Sequence, residues 1–411
     1  MKNNVKSLYA AFAIGLATLP ACTTQAPRSA NSDSIANAQA AAPLATRAQD
    51  TVQKLVQIGP RVAGTPQTQQ ASQYLIEEYR KAGYETEIQT FTYPKFRDLG
   101  STVRVNGQSI AGQALNNSIA GQVTARAIAV PNVGRTSDFA SIDVKGAIAV
   151  VRRGEIPFAQ KAQNAANAGA VTIIIVNSDD TPLRGTLSRP AAIPAIGISR
   201  REGARFFAQS TLSATLNVNT QQQTVTGRNV IAHLPGVTQP RVLLGGHYDS
   251  VAGSPGANDN ASGTAVVLEA ARRLANTPQA RQMWFVAFDG EEDGLQGSRF
   301  FVNSVQPQFL ANLAAMFNFD MVGINDRLLV GGSAELRSQL KQLDSNVPDW
   351  TNSSSDHASF AAKRVPVLFF YRGSDPNYHS PNDRTTTASA LNNTLQTALE
   401  SVDQVLRSNT R

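Results

Sequence analysis

An apolar stretch, VLLGG, ends in His247, Tyr248 and Asp249; a turn rich in Gly and Pro follows, and Asp259 stands at the mouth of a helical pattern. Imidazole and carboxylate are ordinary ligands of a divalent metal such as zinc, and two rigid elements would offer them to one space. Three further apolar stretches finish in the same chemistry. Glu291 and Glu292 follow one in FDGEEDGLQGS, Asp320 closes another in MFNFDMVG, and His379 follows a third in YRGSDPNYHSPND. The chain has 4 histidines, and two of them fall at such ends. His233, inside NVIAHLPG, lies on an earlier strand and reads as a surface or core histidine.

The elements that must position these side chains follow from periodicity. Strands are expected at 230–234, 242–247, 283–288, 314–319, 327–330 and 365–371, and helices at 261–275, 294–302, 334–343, 356–363 and 387–407. Upstream, ATRAQDTVQKLVQIG and QTQQASQYLIEEYRKAG read as two helices separated by GPRVAGTP, and ETEIQTFTY alternates like a strand. The fold class is α/β: a mixed, mostly parallel sheet flanked by helices. In open sheets of this kind the ligand site lies beyond the carboxyl ends of the strands, so His247, Asp259, Glu291, Glu292, Asp320 and His379 are expected on one rim. Between 101 and 226 the texture changes to short apolar runs and Gly/Pro turns, with no histidine and no promising acidic cluster.

The ordered elements H-x-D-S at 247–250, G-x-N-D-N-x-S-G at 256–263, G-E-E-x-G-x-x-G-S at 290–298, N-x-D-M-V-G at 318–323 and Y-H-S-x-x-D at 378–383 resemble the two-zinc aminopeptidase family of metallopeptidase clan MH. KGAIAVV followed by RRG, the helix-like 161–170 and IIIVN at 173–177 resemble a protease-associated domain inserted into it. The resemblance implies a zinc exopeptidase fold over 46–100 and 227–411, with the β-rich insertion over 101–226 in a lid or substrate-access role. It also implies two zinc ions: His247 and Asp320 on one, Glu292 and His379 on the other, and Asp259 bridging. It makes Glu291 the general base and Glu292 a ligand, although the residues alone leave those two open to exchange. Tyr378 would donate its phenolic proton to a tetrahedral oxyanion, as against a packing role.

Asp249, two residues beyond His247, suits an acceptor that fixes the imidazole tautomer, or a turn cap. Asn258 and Asn260 flank the bridging position and would orient its loop or cap the helix. Ser355, Asp356 and His357 resemble the family's Ser-Asp-His element and would support the site without His357 acting as a ligand, or would cap the helix after them. The chain has no HExxH and no GxSxG, which removes a thermolysin-like site and a serine-nucleophile elbow. The expected activity is hydrolysis of the N-terminal bond of peptides. The alternatives are a carboxypeptidase of the same clan for acidic C-terminal residues, and a non-catalytic binding or receptor module.

With 411 residues, 42% hydrophobic and 16% charged, the chain has enough apolar surface for more than one folding unit. The balance of 37 basic against 30 acidic residues gives +7, but no basic run or basic-aromatic stripe accompanies it, so nucleic acid is not an expected partner. Lys2 and Lys6 precede a short apolar segment ending in LPAC, too short to span a membrane. Cys22, the 1 cysteine of the chain, then stands where a lipobox cysteine would be acylated. Residues 1–22 are therefore expected to be a lipoprotein-type export signal, with plain secretion as the alternative. The Ala-, Ser- and Gln-rich 23–45 would be a tether. The expected location is the cell envelope or the exterior, with contact to a membrane only through Cys22.

Overall fold

Apolar side chains recurring every three or four residues make α1, Leu44–Ile58, and α2, Pro66–Lys81, amphipathic; Val52 and Leu55 from the first and Ala71, Leu75 and Tyr79 from the second enter the core. The computed structural model describes residues 44–181, 183–187, 190–209, 212–343, 347–350 and 354–408. The expected export signal with Cys22, and the tether as far as residue 43, lie outside the described residues, and the last two tether residues belong to α1.

After α2 the chain enters β1, Glu85–Asp98, and then a second sheet built from β2, Thr102–Val105; β3, Gln108–Ala111; β4, Gln113–Ala114; β5, Gly121–Ala129; β6, Ile148–Arg152; β7, Thr172–Val176; β8, Ala195–Ile198; and β9, Leu212–Val218. Helices α3, Phe158–Asn167, and α4, Arg200–Ala208, pack on it. Strand order is β3-β2-β9-β5-β6-β7-β8-β4. IAVV and TIIIV are fully buried parallel neighbours, as near-continuous apolar runs require when both faces of a sheet are covered.

The chain returns through β10, Thr220–His233, and continues as β11, Val242–His247; α5, Ser262–Leu274; β12, Met283–Phe288; α6, Gln296–Ser304; α7, Pro307–Ala311; β13, Ala315–Phe319; β14, Leu329–Gly332; α8, Ala334–Leu343; β15, Asp349–Trp350; α9, His357–Ala361; β16, Val367–Tyr371; and α10, Ala388–Ser408. With β1 these strands form a mixed sheet in the order β1-β10-β12-β11-β13-β16-β14-β15. Its middle strands β12, β11, β13 and β16 are mutually parallel. Helices α1, α2, α5 and α10 cover one face, and Phe288, Phe301, Phe309 and Phe360 pack on the other.

The strand boundaries differ from expectation at one place. β1 and β10 pair over the whole of Glu85–Asp98 against Thr220–His233, far beyond the apolar segments that periodicity detects. Backbone pairing carries this ribbon through polar residues such as Gln221, Gln222 and Gln223, whose side chains gain little from burial and leave no apolar signal. Elsewhere the observed strands and helices lie within a few residues of the expected ones, and the parallel set brings its carboxyl ends to one rim.

Candidate metal centre

His247 is the last residue of β11, 1% exposed, because the strand VLLGGH is buried along its whole length. Its Nε2 approaches Asp259 Oδ1 to 3.3 Å and Asp320 Oδ1 to 3.4 Å. On the far side of Asp259, His379 Nε2 lies 3.1 Å from Asp259 Oδ2 and 3.1 Å from Glu292 Oε2. Among the described residues, two groups therefore bring their ligand atoms within 4.8 Å of one another: His247, Asp259 and Asp320, and Asp259, Glu292 and His379. Asp259 belongs to both, one oxygen to each. Glu291 stands apart from them, with Oε2 4.0 Å from His247 Nε2.

Each side chain is held from behind. His247 Nδ1 lies 3.2 Å from the Asp249 carbonyl oxygen and 3.5 Å from Asp249 Oδ1; the fully buried Asp249 carboxylate accepts the backbone N–H groups of Glu291 at 3.2 Å and Glu292 at 3.3 Å. It thus joins the end of β11 to the loop after β12. Asn260 donates to Phe319 O at 2.8 Å and accepts from Gly263 N–H at 2.8 Å and Met321 N–H at 3.3 Å, tying the start of α5 to the Asp320 turn. Asn258 donates to Asp375 at 3.0 Å and accepts from Gly323 N–H at 2.9 Å. Gly263 allows α5 to approach this closely: a Cβ there would stand 2.1 Å from Phe319 O. Met321 and His379 have φ of 54°, a conformation rare for residues with a side chain and often found where a functional group is aimed.

Electrostatics follow from crowding acids in a buried space. Burial pushes the Glu291 carboxyl up to about 10, with Asp320, Asp356 and Asp249 adding to it and His247 opposing. Burial likewise raises Glu292 to about 7. Asp259 moves the other way, below the usual carboxylate range, because the imidazoles of His247 and His379 beside it outweigh its burial. Burial opposes an imidazolium at His247, but Asp320, Glu291, Asp249 and Asp259 outweigh it and raise its pKa well above the usual value. His379 is raised to about 10 by Asp259 and Glu292.

Tyr378 stacks on the His379 ring, centroids 3.7 Å apart, and is 51% exposed. It lines a cavity of about 340 Å³ with Asp320, Met321, Phe369, Tyr371 and Asp375. Ser355 accepts a hydrogen bond from Asn318 at 2.9 Å, and Asp356 is fully buried, raised to about 7 by burial. His357 stacks on Phe369, and burial lowers it to about 4, so it packs as a neutral ring. His233 stacks on Trp284 at the opposite end of the sheet from the rim.

Two participants escape the sequence reading. Asp383 accepts the backbone N–H groups of Asn258 at 2.7 Å and Asp259 at 3.0 Å, fixing the shared carboxylate's loop. Arg61, in the turn between α1 and α2, is fully buried below the same loop. Asp383 sits inside the Y-H-S-x-x-D element, which could have flagged it; the only trace of Arg61 is a lone arginine in GPRVAGTP.

A mixed sheet whose parallel strands deliver two imidazole-carboxylate triads with a common aspartate defines a metallohydrolase centre. Residues 229–402 match Peptidase family M28 and residues 119–206 match the PA domain. Aminopeptidase YwaD of Bacillus subtilis is 32% identical over 371 residues, covering 82% of this chain and 79% of the relative. A probable lipoprotein aminopeptidase, LpqL of Mycobacterium tuberculosis, is 36% identical over 64% of this chain and 55% of its own length. A solved zinc aminopeptidase from Bacillus subtilis superposes with a TM-score of 0.68 at 29% identity, covering 87% of this chain and 94% of that one. The chain belongs to Peptidase family M28 and carries an inserted PA domain.

Proposed function

We propose that this metallo-aminopeptidase is an exported enzyme that removes N-terminal residues from peptides, using two zinc ions and Glu291 as general base. The observation that carries the reading is Asp259, one carboxylate turned to two separate imidazoles. The residues suit the metal: His247 Nε2, Glu292 Oε1 and Asp320 Oδ1 are buried without a hydrogen-bond partner, which a cation would supply, and the nitrogen and oxygen donors are those zinc accepts. His247 and Asp320 would hold one ion, Glu292 and His379 the other, and Asp259 both.

When bound, zinc makes a water acidic near neutral pH and polarises the peptide carbonyl. Glu291, 4.0 Å from His247 Nε2 and in neither triad, would be ionised once cations offset the surrounding acids, and its carboxylate would then take the water's proton and later pass it to the leaving amine. Asp249 keeps the His247 ring oriented and holds the Glu291 and Glu292 backbone. Tyr378, at the mouth of the cavity, donates its hydroxyl hydrogen to the oxygen that becomes negative. The catalytic unit would comprise 44–100 and 227–411; residues 101–226 would be the insertion, 23–43 the tether and 1–22 the export signal, with acylation at Cys22.

The deciding experiment measures zinc per chain together with hydrolysis of aminoacyl-anilides and acidic dipeptides. Two zinc ions and anilide hydrolysis are expected. Glu291→Gln should keep both ions and lose about 10²–10⁴-fold in turnover; Asp259→Ala should lose metal as well. No anilide hydrolysis by the zinc-loaded enzyme would overturn the reading. Mass spectrometry of the exported protein should find a lipid at Cys22, and an intact unmodified N-terminus would remove the anchor.

A further inference from the structure

We infer that Arg61 is a positioning residue for the metal centre, clamping the loop that joins its two halves. This rests on the two-zinc reading above, in which that loop carries ligands.

His247 and Asp259 belong to different elements, and the chain between them is a long turn containing Gly253, Pro255 and Gly256. From Tyr248 to Gly256 no ladder or helix fixes the span. Arg61 supplies the constraint from outside. Its Nε donates to Tyr248 O at 2.7 Å, its Nη1 to Pro255 O at 2.5 Å and Leu55 O at 3.3 Å, and its Nη2 to Gly256 O at 2.9 Å. One planar fork therefore grips both ends of the loop, beside His247 at one end and before Asp259 at the other, and anchors them to α1 through Leu55. The backbone adds a reciprocal pair: Arg61 N–H donates to Ser250 Oγ at 3.0 Å, and Ser250 N–H donates to Arg61 O at 3.2 Å. The approach is close enough to dictate Gly256, where φ is 60° and a Cβ would lie 3.0 Å from Arg61 Nη2 and 2.3 Å from Asp259 O.

The clamp stays charged. Burial lowers its pKa to about 10, and the nearby Asp249, Asp383, Asp259 and Glu292 hold it there, well above neutrality. A lysine could carry the charge but has a single nitrogen, which cannot span carbonyls eight residues apart in the chain with the same rigid fork. Charge and geometry are thereby separable by substitution.

The test compares Arg61→Lys and Arg61→Met with the wild type in zinc affinity, by chelator competition, and in kcat and KM on an aminoacyl-anilide, at temperatures where each variant is folded. Both variants are expected to bind zinc about 10–100-fold more weakly and to lose about 10–100-fold in kcat, with KM changing far less. If Arg61→Met does not fold, Ser250→Ala loosens the same loop and should shift zinc affinity in the same direction by a few-fold. Arg61→Lys equal to wild type in zinc affinity and kcat would overturn the clamp in favour of charge alone. Lower thermal stability with unchanged zinc affinity and kcat would reduce Arg61 to a structural role and overturn it too. Chelator competition reads the clamp without turnover, so a wild type that binds zinc but leaves anilides intact would fail the peptidase reading and not this one.

Discussion

Asp259 turns one oxygen to His247 and the other to His379, so a single carboxylate faces both imidazoles. In the metal-free chain His379 holds its proton up to about pH 10 and Glu292 up to about pH 7. Zinc requires both to be deprotonated, so binding near pH 8 must expel the imidazolium proton, and below pH 7 a second from Glu292. Apparent affinity for the ion held by Glu292 and His379 should therefore rise by about tenfold per pH unit between pH 7.5 and 9 for the one proton displaced there, and the ion held by His247 displaces a further imidazolium proton. Calorimetry in buffers of different ionisation enthalpy checks this, and a buffer-independent heat would contradict it. Asp249→Asn should be as informative: an amide nitrogen facing the Glu291 or Glu292 N–H sets donor against donor. Zinc affinity and kcat should each fall about 10–100-fold, and wild-type values would reduce Asp249 to a turn former. At this scale the ligand-type residues were legible because each lies in a short motif at the end of a strand, in the loop after one or at the start of a helix. Asp383 stood in the Y-H-S-x-x-D element without a role that its position alone could assign, and Arg61 left no trace beyond a lone arginine, since it acts on backbone carbonyls that no side-chain pattern records.

Elements hold the site by contact between backbones. α5 enters against the end of β13 through Gly263, and Asn260 bridges the same junction by hydrogen bonds to Phe319, Gly263 and Met321. Gly263→Ala would drive a methyl group into Phe319 O and force α5 away from β13, lowering unfolding free energy by about 1–3 kcal/mol or more. Urea unfolding measures that loss, and zinc affinity should fall with it because Asp259 and Asp320 ride on the two displaced elements. An unchanged urea midpoint would mean that the junction yields freely. The parallel strands β11, β12, β13 and β16 were readable from apolar runs that the core demands. The outer half of the β1 and β10 ribbon was not, because its pairing is a backbone property and its polar residues carry no period.

At the scale of the molecule, the described residues form two sheets with separate apolar cores. The peptidase sheet has one on each face, and the second sheet has its own, built from residues such as Val103, Ile148, Ile174 and Leu216 on one side and Ala149, Ile173 and Ile175 on the other. The β1 and β10 ribbon runs from the first sheet to the second, where Phe96 packs against its core. Zinc at the rim of the first sheet would stabilise that sheet alone. At a free concentration of about 100 times its dissociation constant, one zinc contributes about 2.7 kcal/mol. That corresponds to about 5–10 °C in the melting temperature of a domain of 150–250 residues. Calorimetric melting with and without a zinc chelator should therefore show two transitions, of which the larger, belonging to the peptidase sheet, moves down on chelation while the other stays. A single transition that shifts as one would show that the ribbon couples the two sheets into one cooperative unit. Two transitions that both ignore the chelator would remove zinc from the rim.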